Sequence, residues 1–259
     1  MKVIILCGGQ GYRLREETEY IPKPMVEIGG RPILWHIMKL YSHYGFNDFI
    51  LALGYKGDSI RNYFLNYKVY NNDFTISLGK DKNITFYKSN ENYNWNVTMV
   101  ETGEDSMTGF RLKLCGKYIK ENNFMLTYGD AVADINIKKL LEFHKKQNTL
   151  GTVTGVFPPS RFGDLVVKEN LVRHFKEKQA DFKKQNPING GFFVFKKEFL
   201  KIIPAEPDCD LEKYPMNVLT GKNQLSIYKH NGFWQCMDTY RDYLYLNKLW
   251  KKNPEWKIW

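Results

Sequence analysis

Apolar and polar positions alternate along the chain in two rhythms. The run Val3-Ile4-Ile5-Leu6-Cys7, closed by glycines, predicts a buried strand. Apolar residues at 33, 34, 37, 38, 40 and 41, with Pro32 just ahead of them, predict an amphipathic helix that Gly45 ends. A second buried strand over 48–54 and a second helix opening at Lys56 repeat the alternation. Strand, helix, strand, helix is the signature of a parallel sheet with right-handed crossovers.

Between residues 66 and 96 the texture changes. Segments 73–78 and 83–87 alternate like antiparallel strands across a turn-rich link, which predicts an inserted hairpin. A strand over 96–102 leads through the loop 103–109 to a basic helix expected over 111–118. The next buried strand, 124–130, ends in Gly129 and Asp130. Ligands of open α/β sheets bind outside the carboxyl ends of strands, so these two residues stand where chemistry is expected. After a helix at 136–147 the chain turns β-rich, with strands at 151–157, 164–167, 192–195 and 225–228 and helices near 197–203 and 240–251. No linker separates the halves. A single α/β domain, 1–259, is expected: a Rossmann-like, mixed but mostly parallel central sheet flanked by helices, with one part at 1–135 and a smaller β-rich lobe at 136–259.

Composition changes this picture little. A content of 43% hydrophobic and 25% charged residues is globular and excludes disorder or a fibrous repeat. The formal charge of +10 would attract nucleic acid, acidic membranes or phosphorylated metabolites alike. Lysines occur as short pairs without a block of five or more, as on a solvated surface, and neither nucleic acid nor membrane is the expected partner. Cys7, Cys115, Cys209 and Cys236 are too far apart for a CxxC motif and read as structural thiols of a reducing compartment. No secretory signal is recognisable, and no apolar run approaches the roughly 18 residues that span a bilayer. A cytoplasmic protein is expected.

Candidate chemistry begins in Gly8-Gly9-Gln10-Gly11-Tyr12-Arg13-Leu14. No Gly-Lys-Ser/Thr closes it as in a Walker loop, and Leu14 stands where a dinucleotide fingerprint needs its last glycine. Backbone amides beside Arg13 and the Lys23 of Pro22-Lys23-Pro24 nevertheless suit a polyphosphate. Taken alone, Asp130 reads as a loop carboxylate, Ser106-Met107-Thr108-Gly109 with Arg111 as a loop capping a basic helix, and Glu177-Lys178 as a solvated pair. The five histidines have no partner at ligand spacing and read as packing residues. The tail 254–259 is apolar enough to be docked.

The order Gly-Gly-x-Gly-x-Arg-Leu, Pro-Lys-Pro-Met, Gly-x-Pro-Ile-Leu-x-His, Gly-Tyr-Lys, Tyr-Gly-Asp, Phe-Gly, Glu-Lys and Asn-Gly-Gly-Phe-Phe-Val resembles the sugar-phosphate nucleotidyltransferases over nearly the whole chain. The likeness is strongest to their branch acting on CTP and glucose 1-phosphate. It implies in-line attack of a sugar 1-phosphate on the α-phosphorus of CTP, with Mg2+ and loss of pyrophosphate. By resemblance Arg13, Lys23 and Asp130 are catalytic, and Asp130 and Asp238 hold the metal. Leu6, Gly8, Gly9, Gly11, Tyr12, Arg13, Ser106, Thr108, Arg111 and Gly129 take the nucleotide, Arg111 as a base or phosphate contact. Arg161, Glu177, Lys178, Asn189 and Gly190 take the phosphorylated acceptor, so 1–135 is the nucleotide-binding part and 136–259 the acceptor-binding part. The branch also implies a homo-oligomer. Tyr12, Ala131 and Gln179 depart from the family pattern, which leaves open a cytidylyltransferase for another acceptor. A nucleotide-binding protein without turnover is the rival from another class, and retention of Arg13, Lys23, Asp130, Lys178 and Asp238 argues against it.

Overall fold

The computed structural model describes residues 1–11, 14, 18–79, 83–87, 93–158, 164–176 and 186–259. In the first half, strands β1 (Lys2–Leu6), β2 (Glu27–Ile28), β3 (Arg31–Pro32), β4 (Asp48–Leu53), β5 (Phe74–Ser77), β6 (Asn83–Phe86), β7 (Asn96–Glu101), β8 (Asn123–Tyr128) and β9 (Ala131–Ala133) alternate with helices α1 (Ile33–His43), α2 (Gly57–Leu65), α3 (Tyr67–Asn71) and α4 (Thr108–Cys115). The second half adds α5 (Ile137–Gln147), β10 (Gly151–Val156), β11 (Asp164–Lys168), β12 (Leu171–Lys176), β13 (Ile188–Lys196), α6 (Tyr214–Gly221), β14 (Leu225–His230), β15 (Trp234–Cys236) and α7 (Tyr240–Lys252).

Seven strands form one sheet in the order β14-β10-β13-β8-β1-β4-β7. Strand β13 runs antiparallel to β8 and β10, while β1, β4, β7 and β8, and likewise β10 with β14, pair in parallel. The sheet is therefore mixed and mostly parallel, as the alternation of elements predicts. From β1 the chain goes through α1 to β4 and on to β7, then returns on the other side of β1 as β8. The strand order reverses between β1 and β8, and the carboxyl ends of those strands frame a crevice.

Each face of the sheet is covered. Val3, Ile5 and Cys7 of the β1 region pack with α1 and the carboxyl-terminal aromatic residues, while Ile4 and Leu6 face α4. The inserted hairpin is present as β5 and β6, with Ile76 opposite Ile84. Other elements differ from expectation. Helix α4 starts at Thr108 rather than 111, because Gly109 fits the first turn against the neighbouring chain: its N–H donates to the Cys209 carbonyl at 2.9 Å, and a Cβ would lie 2.7 Å from Cys209 Sγ. The helix expected over 197–203 is only a 3₁₀ turn, Lys197–Lys201. Helix α6 has little amphipathic pattern to betray it, and its Pro215 sits in the first turn, where a missing N–H costs nothing.

The tail 254–259 docks on α1 through Trp256, which is 1% exposed. Its indole N–H donates to His36 Nδ1 at 3.3 Å, so His36 carries its proton on Nε2 and donates to the Ile28 carbonyl at 2.9 Å. Burial pushes His36 down to about 4, and burial does the same to His144 beside Thr152. Both stay neutral on folding. Below the ordinary value of 6.5 the unfolded chain takes up protons that the folded chain refuses, so stability falls as pH drops from 6.5 towards 4. His36→Gln is expected to flatten the slope of the unfolding midpoint against pH in that window. Parallel profiles for the variant and the unaltered protein would contradict this assignment.

Candidate functional site

The crevice at the ends of β1 and β8 is a cavity of 460 Å³. Its walls bring together Leu6, Gly8, Gly9, Gly11, Lys23, Ser106, Thr108, Arg111, Gly129 and Asp130, all singled out in the sequence. Tyr12, Arg13, Arg161, Glu177, Lys178 and Gln179 lie outside the described residues.

Two short strands align the acids. β9 and β15 pair antiparallel with Ala131 opposite Cys236, which sets Asp130, just before β9, beside Asp238, just after β15. The Met237 N–H donates to the Asp130 carbonyl at 2.8 Å and fixes the register. Asp238 is secured from the other side by the start of α7. Asp242 accepts from the backbone N–H groups of Asp238 at 3.1 Å and Thr239 at 2.9 Å, completing a capping box with Thr239. Ala131 lies in extended backbone within this ladder, so its methyl brings no strain.

Lys23 stands between the two acids. Its Nζ donates to Asp130 Oδ2 at 2.8 Å and to Asp238 Oδ1 at 2.5 Å. Burial works against the ammonium, but the charge and hydrogen bond of Asp130, reinforced by Asp238, outweigh it and hold Lys23 above the ordinary lysine value. Two carboxylates that converge on one ammonium also converge where a divalent cation could sit. Among the described residues no third His, Cys, Asp or Glu joins them as a ligand group. Mg2+ binds with one or two carboxylates plus substrate phosphate oxygens and water, so the pair fits that ion.

Arg111 lines the crevice and is hydrogen-bonded to the loops around it. It is 4% exposed, and its Nη1 donates to the carbonyls of Leu53 at 3.1 Å and Gly103 at 2.7 Å and to Thr102 Oγ1 at 2.6 Å. Nη2 donates to the carbonyls of Gly8 at 3.0 Å and Glu104 at 2.9 Å. These donors tie together the loops after β1, β4 and β7. The glycine at position 8 acquires a second reason, since a Cβ there would lie 2.1 Å from Arg111 Nη1.

Thr108 and Tyr128, which line the crevice, are joined to a residue unforeseen in the sequence, Glu212. Thr108 Oγ1 donates to Glu212 Oε2 at 2.8 Å, and the Tyr128 hydroxyl donates to Glu212 Oε1. Asn189 Nδ2 donates to the Tyr128 hydroxyl at 3.2 Å, while Asn189 Oδ1 accepts from the Gly191 N–H at 2.9 Å. Gly191 has φ +78°, and a Cβ there would lie 2.4 Å from the Tyr128 ring, so only glycine allows this approach. Glu212 is exposed at the rim, yet desolvation by its neighbours and the hydrogen bond with Asp210 raise it above the usual carboxylate range. Gly190 is buried beside them, its carbonyl accepting from Trp234 Nε1 at 2.8 Å. Nothing in the sequence around Cys209–Glu212 marks it for the site, because its contribution depends on a loop that returns to α4 from about a hundred residues away.

Comparison with known proteins follows the same lines. The nucleotidyl transferase family pattern matches residues 2–252. Over 261 residues, covering all of both chains, the sequence is 46% identical to a glucose-1-phosphate cytidylyltransferase of Salmonella typhimurium. It is 41% identical over 262 residues, again covering all of both chains, to a probable glucose-1-phosphate cytidylyltransferase of Bacillus subtilis. The fold superposes on the crystal structure of HddC from Yersinia pseudotuberculosis with a TM-score of 0.69 at 24% identity, covering 96% of this chain and 99% of that one.

Proposed function

The chain belongs to the nucleotidyl transferase family, and from that premise we propose that it joins CTP to α-D-glucose 1-phosphate, giving CDP-glucose and pyrophosphate. Full-length similarity to glucose-1-phosphate cytidylyltransferases carries this reading. The phosphate oxygen of the sugar attacks the α-phosphorus, forming one O–P bond as the bond to the pyrophosphate oxygen breaks. Such a transfer asks the protein for positioning and charge neutralisation rather than covalent chemistry.

Each part of the crevice has work of that kind. Gly8, Gly9 and Gly11 leave the loop after β1 open to a triphosphate, with Arg13 beside it in sequence. Lys23 sets an ammonium next to the reacting phosphates, and Ser106 and Thr108 border the nucleotide. Asp130 and Asp238 would hold Mg2+, which supplies a counter-charge to the phosphate oxygens when bound. On the acceptor side Asn189 and Gly190 join Arg161, Glu177 and Lys178. Asn189 has its amide fixed by Tyr128 and Gly191, which leaves one N–H for an acceptor hydroxyl.

A cytoplasmic homo-oligomer goes with this function. All four cysteines are free thiols, and Leu65, Tyr70, Leu78 and Tyr87 expose apolar surface on α2, α3 and the inserted hairpin. No helix among the described residues is long and apolar enough to cross a membrane. Pyrophosphate release measured over the four NTPs and dTTP, against a panel of sugar 1-phosphates and non-sugar phosphates, tests the assignment. Turnover is expected to be highest with CTP and glucose 1-phosphate. A preference for another acceptor would replace the sugar, and release from no pair would replace the enzyme with a nucleotide-binding protein.

A further inference from the structure

Thr108 borders the nucleotide and Asn189 the acceptor, yet they belong to different elements, the start of α4 and the second residue of β13. The hydrogen bonds between them run without a gap: Thr108 to Glu212, Tyr128 to Glu212, and Asn189 to Tyr128. We infer that Glu212 is a positioning residue that couples the two halves of the site, so that a nucleotide against Thr108 orders Tyr128 and Asn189 for the acceptor. The inference rests on the function proposed above and adds to it a specific route of communication.

The chemistry of each link fixes this route, and the coupling it carries is reciprocal. Glu212 accepts from both hydroxyls, so a shift of Thr108 is felt at the carboxylate and passed to Tyr128. The Tyr128 hydroxyl has one proton, given to Glu212, and a lone pair for Asn189; it therefore cannot turn without breaking both bonds. Burial, then Glu212, push the tyrosine further up, which keeps it protonated as the donor this arrangement needs. Asn189 cannot flip its amide either, because Oδ1 already accepts from the Gly191 N–H. Glu212 is held from its own loop as well: its N–H donates to Asp210 Oδ1 at 3.1 Å, and Asp210 pairs with Lys213 at 3.4 Å.

Coupling of this kind appears as a ratio of affinities. Binding of glucose 1-phosphate would be measured by calorimetry with and without α,β-methylene-CTP, on the unaltered protein, Tyr128→Phe, Glu212→Gln and Glu212→Ala. In the unaltered protein the analogue is expected to tighten acceptor binding by about fivefold or more, within the usual span of coupling energies. In Tyr128→Phe, which removes one oxygen and keeps the ring, the ratio is expected to fall close to one. Glu212→Ala should give the same collapse, and Glu212→Gln should restore part of it, since its amide oxygen can still accept from Tyr128. The double variant Tyr128→Phe/Glu212→Ala should be no worse than the stronger single variant, as two members of one chain are not additive. A ratio near one in the unaltered protein, or a ratio that survives in Tyr128→Phe, overturns the inference. Pyrophosphate release by the unaltered protein keeps the two questions apart: release without coupling sinks only the route, whereas no release with any substrate pair sinks the function itself.

Discussion

Lys23→Ala is expected to lower the rate of pyrophosphate release by on the order of 10²-fold or more, with substrate binding much less affected. The ammonium is preorganised by two carboxylates, at 2.8 and 2.5 Å, and lies 11% exposed at the reacting end of the crevice. Charge placed in advance where negative charge develops needs no rearrangement during the reaction, which is why its loss falls on turnover. Removal also leaves Asp130 and Asp238 facing one another. Asp130→Asn should cost a similar factor by removing one side of the same arrangement. Near-normal turnover in either variant would refute the roles assigned to them.

Arg111→Met is expected to cost about 1–3 kcal/mol of stability, because it removes the hydrogen bonds by which one buried guanidinium joins three loops. The carbonyls of Gly103 and Glu104 take their donor from this guanidinium, while it shares that of Leu53 with Thr102 and that of Gly8 with the Tyr55 N–H. Methionine keeps much of the volume, so the loss measured by denaturant unfolding would report the hydrogen bonds rather than a cavity. Lysine should rescue little: it places three donors at one point, whereas the acceptors are spread around a planar fork. CTP affinity should fall in the same variants, since the Gly8 loop loses its rear support. An unchanged unfolding midpoint would show that the carbonyls find other partners and that Arg111 is not what joins these loops.

The residues of the nucleotide wall were legible because each belongs to a short local pattern. Gly8, Gly9 and Gly11 follow a strand, Lys23 sits between prolines, and Asp130 ends a buried run. The α1 pattern at 33–41 and the hairpin at 73–87 were equally plain, since their periods of 3.6 and 2 are written in neighbouring residues. What could not be read depends on distant pairings. Asp238 was reached only through the family resemblance, because the strands of three residues each that bring it to Asp130 are too short to leave a period in the sequence. Whether Arg111 faces a ligand or a carbonyl is decided by where the β4 and β7 loops end, not by the residues beside it. Glu212 had no local signal at all, and its two hydroxyl partners lie 104 and 84 residues away.

The grip of Asp130 and Asp238 on Lys23 also bears on the order in which ligands arrive. At rest the three side chains carry a single net negative charge, so the pair is a poorer lure for a lone divalent ion than two bare carboxylates would be. An incoming cation must compete with an amine that is already in place and cannot diffuse away. A polyphosphate accompanied by its counter-ion faces no such contest, because it offers the amine new anionic company at the moment it relieves the acids of it. Under the proposed function the three side chains would thus admit nucleotide and cation together more readily than either alone.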